Sequence, residues 1–136
     1  MNTNRLIKIG GVINLLFVAF HLSFWKLFDW KQSLASLSPD DRAIMQVLNI
    51  HTAYVLAVFA VLSFVFSNEM RVTKLGRMVG MAIAVFWILR AVNQVVFWGV
   101  SSIISWALIV ICLVVAALYF VPSWKGAIQP RSGSHI

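Results

Sequence analysis

Four long apolar segments dominate the pattern of hydrophobic and polar positions along this chain of 136 residues. They cover residues 6–27, 43–67, 78–98 and 103–121. Each is close to the roughly 20 residues that an α-helix needs to cross about 30 Å of hydrocarbon. Residues 122–136 follow as a short tail. The pattern predicts an all-α fold with a single domain, an integral membrane four-helix bundle that runs up-down-up-down.

The connections between the segments support this partition. Ser38, Pro39 and two acidic residues form a helix start, because Ser is a favoured N-cap, Pro suits the first helical position, and acids suit the positive helix end. We therefore expect the second helix to begin near Pro39. Residues 99–102, Gly-Val-Ser-Ser, predict a tight link between the third and fourth helices.

Composition agrees with a membrane location. The chain is 61% hydrophobic and 11% charged, whereas a soluble domain has about a quarter of its residues charged. The formal net charge of +7 does not indicate nucleic-acid binding, because the basic residues flank the apolar segments and form no stripe with aromatic residues. Cys112 is the single cysteine, so an intramolecular disulfide is excluded.

The distribution of basic residues predicts the orientation. One side of the bundle has three basic residues, Lys26, Lys31 and Arg42, partly offset by acids. The positive-inside rule places the richer side, and with it both termini, in the cytoplasm. That side has seven basic residues: Arg5, Lys8, Arg71, Lys74, Arg77, Lys125 and Arg131.

Polar residues within the apolar segments are the candidate functional residues, since each is costly in hydrocarbon unless it has a partner. His21 lies about four residues past the middle of its segment and His51 about four before the middle of the next, so in antiparallel helices both lie about 6 Å outward of the midplane. Asn93 and Gln94 lie at a similar level, and Arg90 is nearer the centre.

Helical faces select among these residues. Positions 90, 93 and 94 form one stripe, and His51 shares a face with Tyr54, whereas Gln46 and Asn49 point elsewhere. The sequence thus predicts a ligand-binding polar pocket in the outward-facing half, formed by His21, His51, Tyr54, Arg90, Asn93 and Gln94.

Arg90 is the residue most in need of a partner, because no Asp or Glu lies within the four apolar segments. Three alternatives remain open for it. Asn and Gln side chains could satisfy it in a polar contact between helices, or it could bind an anionic group or oxygen of a ligand. Its long side chain could also reach the headgroups at the end of the helix.

Two functions are compatible with this pocket. His21 and His51 could ligate the iron of a haem b axially, with Arg90 and the amides on the propionates. A mononuclear zinc or copper site would be short of ligands. Alternatively, the pocket suits a lipid headgroup, a quinone or another carbonyl-bearing molecule, with a histidine able to act as an acid or base.

The third alternative is a structural or accessory membrane subunit whose polar residues only hold the helices together, in a homo-oligomer or a larger complex. No nucleophile elbow, paired carboxylates, phosphate loop or HExxH motif indicates catalysis.

Three stretches carry a resemblance: Phe20-His21, residues 45–51 (MQVLNIH) and residues 89–94 (LRAVNQ). With these stretches the whole chain resembles four-helix membrane proteins of bacteria, and its topology is similar to that of DoxX-like proteins. The resemblance implies the bacterial inner membrane, and it implies no activity and no residue roles.

Overall fold

The fold is seen in a computed structural model, which describes residues 3–128, with side chains up to Lys125. Its described part is helical, with α1 Thr3–Leu22, α2 Phe24–Leu27, α3 Trp30–Ser33, α4 Pro39–Val65, α5 Glu69–Val72, α6 Lys74–Trp98 and α7 Ile103–Ile128. The four long helices, with α7 counted over Ile103–Lys125, are long and apolar enough to cross a membrane. The all-α prediction is confirmed.

Helix boundaries depart most from the predicted segments at the ends of the first and fourth segments. The first segment is broken at Ser23, whose hydroxyl donates to the carbonyl of Phe20 at 2.6 Å, so that α1 ends at Leu22 and two short helices follow. The predicted tail begins inside a helix, because α7 continues through Pro122 to Ile128. Residues 129–136 of that tail lie outside the described residues.

The start of α4 is as predicted. Ser38 caps the helix by accepting a hydrogen bond from the backbone N–H of Asp41 at 3.1 Å, and Pro39 occupies the first turn. Gly99 ends α6 with a φ of +68°, a left-handed conformation that glycine adopts without steric cost.

The long helices pack as two pairs. The first pair is α1 with α4 and the second is α6 with α7, and α1 also packs against α7. Glycines allow close approach: Gly10 of α1 lies against the ring of Tyr119, and Gly11 against Ser63. The buried core between the helices includes Ile7, Leu56, Ile83, Trp87, Cys112 and Val115.

The outer surface of the helices is apolar. Leu16, Leu75 and Ile103 are more than half exposed, as are many other aliphatic and aromatic side chains. A contiguous apolar surface of this kind belongs in contact with lipid or with another protein.

Candidate functional site

The interior holds polar side chains at two levels, which we name by their residues. The Asn14 network consists of Asn14, Ser63, Trp87 and Tyr119. The His21 level consists of the His21–Asn49 pair on the first helix pair and of Arg90 with Gln94 on the second. Only the His21 level includes residues of the predicted pocket.

His21 and Asn49 form two hydrogen bonds with each other. The amide Nδ2 of Asn49 donates to the backbone carbonyl of His21 at 2.9 Å, which leaves its Oδ1 facing the ring of His21 at 2.7 Å from Nδ1. Since Oδ1 can only accept, Nδ1 must carry the proton. The prediction that Asn49 points away from the cluster is wrong, because this residue is buried at the contact between α1 and α4.

The two bonds fix the orientation and the tautomer of the His21 ring. With the proton on Nδ1, the other ring nitrogen, Nε2, of the neutral imidazole is an acceptor. Among the side chains described up to Lys125, every fully enclosed N or O atom has a hydrogen-bond partner. Nε2 of His21 has none there, so this atom is not fully enclosed. The ring also stacks on Phe24, with centroids 4.7 Å apart.

Arg90 is half-buried on α6. Its Nη1 donates to Oε1 of Gln94 at 3.1 Å, and its guanidinium carbon lies 5.7 Å from the centroid of the Trp98 ring. These contacts satisfy one of five N–H donors and place a cation against an aromatic face. A guanidinium so arranged retains donors for a further oxygen.

Gln94 is buried and connects Arg90 to α7. Its Nε2 donates to Oγ of Ser105 at 3.2 Å, and the hydroxyl of Ser102 lies at the same distance from that oxygen. Both amide functions of Gln94 are therefore used within the second helix pair, which fixes the acceptor beside Arg90.

The predicted pocket requires His51 and Tyr54 to face the interior of the bundle. Both residues lie instead on the outer face of α4. The buried stripe of this helix includes Asn49, Ala53 and Leu56. His51 is two residues, or roughly 200°, from Asn49 around the helix. His51 is exposed, with Nδ1 donating to the carbonyl of Val47 at 2.9 Å, and Tyr54 is 66% exposed.

The structure therefore does not bring the two histidines together as an axial pair for haem. Asn93 is exposed too, next to Gln94 but off the buried face of α6. Of the six predicted residues, three are buried or half-buried, namely His21, Arg90 and Gln94, and Arg90 bonds Gln94. Within residues 3–128 no three His, Cys, Asp or Glu side chains are grouped to hold a metal ion.

The Asn14 network joins all four long helices. Nδ2 of Asn14 donates to the hydroxyl of Tyr119 at 2.8 Å, that hydroxyl lies 2.6 Å from Oγ of Ser63, and Nε1 of Trp87 donates to Oδ1 of Asn14 at 3.2 Å. All four side chains are buried. Every one of their polar atoms is thus bonded inside the bundle.

Sequence reasoning did not predict this network, including its members Ser63 and Tyr119 in the second and fourth apolar segments. The available signal was their polarity inside apolar segments, since such residues seek partners on neighbouring helices. The pairing with Gly10 and Gly11, which leave space for Tyr119 and Ser63, follows only from the packing.

Comparison with known proteins adds no assignment. No protein-family model, no curated protein sequence and no solved structure matches this chain.

Proposed function

We propose that this chain is a membrane protein that binds a small, largely apolar molecule with a polar oxygen-bearing head at the His21 level. The observation that carries the proposal is the pair of hydrogen bonds between His21 and Asn49. They hold one imidazole in a single orientation, with an accessible acceptor nitrogen. Histidines that bind a ligand or metal through one nitrogen commonly have the other held in this way.

Arg90 defines the chemistry of the ligand together with His21. A guanidinium donates to carbonyl, carboxylate or phosphate oxygens, whereas Nε2 of His21 accepts from a hydroxyl or N–H. A quinol, or a lipid headgroup with a hydroxyl beside an anionic or carbonyl oxygen, offers both, whereas a quinone offers only the oxygens for Arg90. Phe24 beside the His21 ring and the exposed Trp98 beside Arg90 supply apolar and aromatic contacts.

A haem b is a second candidate ligand, whose iron His21 would hold as the one histidine of this level. The neutral imidazole with Nδ1 hydrogen-bonded has the form that binds iron through Nε2. His51 would not contribute the second ligand in the same chain, since it lies on the other face of α4.

The orientation proposed for the bundle is up-down-up-down, with both termini in the cytoplasm of a bacterial inner membrane. Contacts support an antiparallel first pair, because Gly11 of α1 lies against Ser63 of α4, whereas His21, later in α1, bonds Asn49, which is earlier in α4. In the second pair, Gln94 near the end of α6 bonds Ser105 near the start of α7. The seven basic residues of the terminal side support the cytoplasmic assignment.

Ligand retention tests the proposal. Wild-type protein and the variants His21→Ala, Arg90→Gln and His51→Ala are extracted gently from bacterial membranes, and retained molecules are identified by mass spectrometry and absorption spectroscopy. His51→Ala is the matched control, since it removes an exposed histidine from the other face of α4. We expect one molecule to be retained by wild type and His51→Ala.

His21→Ala and Arg90→Gln should reduce this retention by about tenfold or more, because a hydrogen bond to a charged or tightly held group contributes about 1.5 kcal/mol or more. A Soret band lost specifically in His21→Ala would identify the ligand as haem. Equal retention by all four proteins would contradict the proposal. So would an empty wild type that binds neither decylubiquinol nor haemin on addition.

The alternative function is that of a structural or accessory subunit, and the Asn14 network favours it. This network connects α1, α4, α6 and α7 through fully bonded side chains and presents no free group to a ligand among the described residues. A protein that retained nothing at the His21 level, yet lost assembly when the Asn14 network was broken, would have this function.

A further inference from the structure

A second site of a different kind lies where α6 begins and α7 approaches its end. There the surface forms a groove of about 410 Å³ between the two helices. Two cationic side chains and apolar side chains share its walls. The lining residues are Lys74, Arg77, Met78, Met81, Ser123 and Trp124.

The sequence builds the α6 wall from helical spacing. Lys74, Met78 and Met81 are four and three residues apart, so they follow one another along a single face, and Arg77 lies beside them. The cations thus come at the first turn of the helix and the methionines one and two turns farther along. Methionine is flexible and polarisable, which suits contact with a mobile chain.

The α7 wall is aromatic. Trp124 stacks on Phe120 with ring centroids 6.0 Å apart and planes at 9°. Ser123 is buried and its hydroxyl donates to the carbonyl of Tyr119 at 2.8 Å, so it is already bonded within α7. Tryptophan at the end of an apolar helix is typical of the interface between hydrocarbon and headgroups.

The charge around this groove is one-sided. Nη1 of Arg77 donates to the carbonyl of Val72 at 3.2 Å, which places the guanidinium near the first turn of α6 and leaves further donors. Lys125 follows Trp124 on α7, and Glu69 is the only acidic residue in the chain after residue 41. Two of the lining residues are cationic and none is acidic, and the lining surface is formed mainly by their hydrocarbon stems and by the apolar side chains.

We propose that this groove binds an anionic phospholipid of the bilayer, with the phosphate against Lys74 and Arg77 and an acyl chain along Met78, Met81 and Trp124. Basic sites between membrane helices recognise lipid headgroups in this way. The apolar walls favour a lipid over a free phosphate ion, because a small anion would leave them uncovered. The site is separate from the His21 level, and it requires only that the helices span a membrane.

Native mass spectrometry of the detergent-solubilised protein tests the inference. The protein is titrated with phosphatidylglycerol and with phosphatidylcholine of the same acyl chains. We expect the wild type to bind phosphatidylglycerol at least about fivefold more tightly. The double variant Lys74→Gln/Arg77→Gln should lose this preference, and Trp124→Ala should weaken binding of both lipids.

The matched control is Arg5→Gln/Lys8→Gln, which removes the same charge from exposed positions near the start of α1. It should keep the preference for phosphatidylglycerol. Equal loss in both double variants would show general charge attraction and overturn the site, as would an unchanged preference in Lys74→Gln/Arg77→Gln.

Two further arms separate the alternatives. Excess inorganic phosphate should not displace phosphatidylglycerol from the wild type; displacement would show a site for a free anion and contradict the lipid proposal. His21→Ala should bind phosphatidylglycerol at this groove as the wild type does. Failure of ligand binding at the His21 level would therefore leave this result unaffected.

Discussion

Two tyrosines illustrate how differently the same residue type is used in this chain. Tyr119 is completely buried, and its hydroxyl bonds both Asn14 and Ser63. Tyr54 is 66% exposed on the outer face of α4. Inside an apolar bundle a polar group without a hydrogen bond costs free energy. The Tyr119 hydroxyl therefore stabilises the fold through its own hydrogen bonds and because it gives its two partners a bonded atom.

Removing one oxygen atom from each tyrosine separates these roles. Tyr119→Phe should destabilise the protein by about 1–2 kcal/mol, because Asn14 and Ser63 lose a shared partner. Tyr54→Phe should leave stability within about 0.5 kcal/mol of wild type. Thermal unfolding in detergent measures both, and a Tyr54→Phe loss as large as that of Tyr119→Phe would show that the Asn14 network does not stabilise the bundle.

At the scale of the helix, the sequence predicted which helices are present better than it predicted which face of a helix points inward. The four long helices and the Ser38 cap of α4 are confirmed, since length, hydropathy and capping residues are local properties. The break at Ser23 was not predicted, because the apolar pattern continues through Phe24 and Trp25 and a side-chain bond to the Phe20 carbonyl decides the end.

The inward face of α4 was chosen wrongly for a physical reason. In a soluble helix the apolar face marks the core, but a membrane helix is apolar on the lipid side as well, so periodicity carries little information. Only polar residues remain as markers, and α4 has them on both faces: Asn49 faces α1 whereas His51 is exposed. The predicted stripe of α6 divides in the same way, since Gln94 is buried and Asn93 is exposed.

At the scale of the whole molecule, the two proposed binding sites would lie toward opposite surfaces of the membrane. The His21 level would face outward, the Asn14 network would join the four helices deeper in the bundle, and the groove at Lys74 and Arg77 would lie at the cytoplasmic surface. This division depends on the orientation inferred from the basic residues.

Cysteine labelling in intact cells tests that orientation. In a Cys112→Ala background, a cysteine at Ser36, an exposed residue between α3 and α4, should react with a membrane-impermeant thiol reagent. In the same background, Lys74→Cys should react with the reagent only after the membrane has been permeabilised. The reverse labelling pattern would place both termini outside, and with them the groove at Lys74 and Arg77.

The state of the His21 ring tests the central claim most directly, because the proposed ligand site depends on an imidazole held by Asn49 with Nε2 free to accept. Nitrogen-15 NMR of histidine-labelled protein in bilayers, at a pH where imidazoles are neutral, distinguishes the two tautomers, and His21→Gln assigns the signals. We expect a proton on Nδ1 and a bare Nε2 for His21, with this preference lost in Asn49→Leu. A wild-type His21 carrying its proton on Nε2, unchanged by Asn49→Leu, would rule out the proposed ligand site.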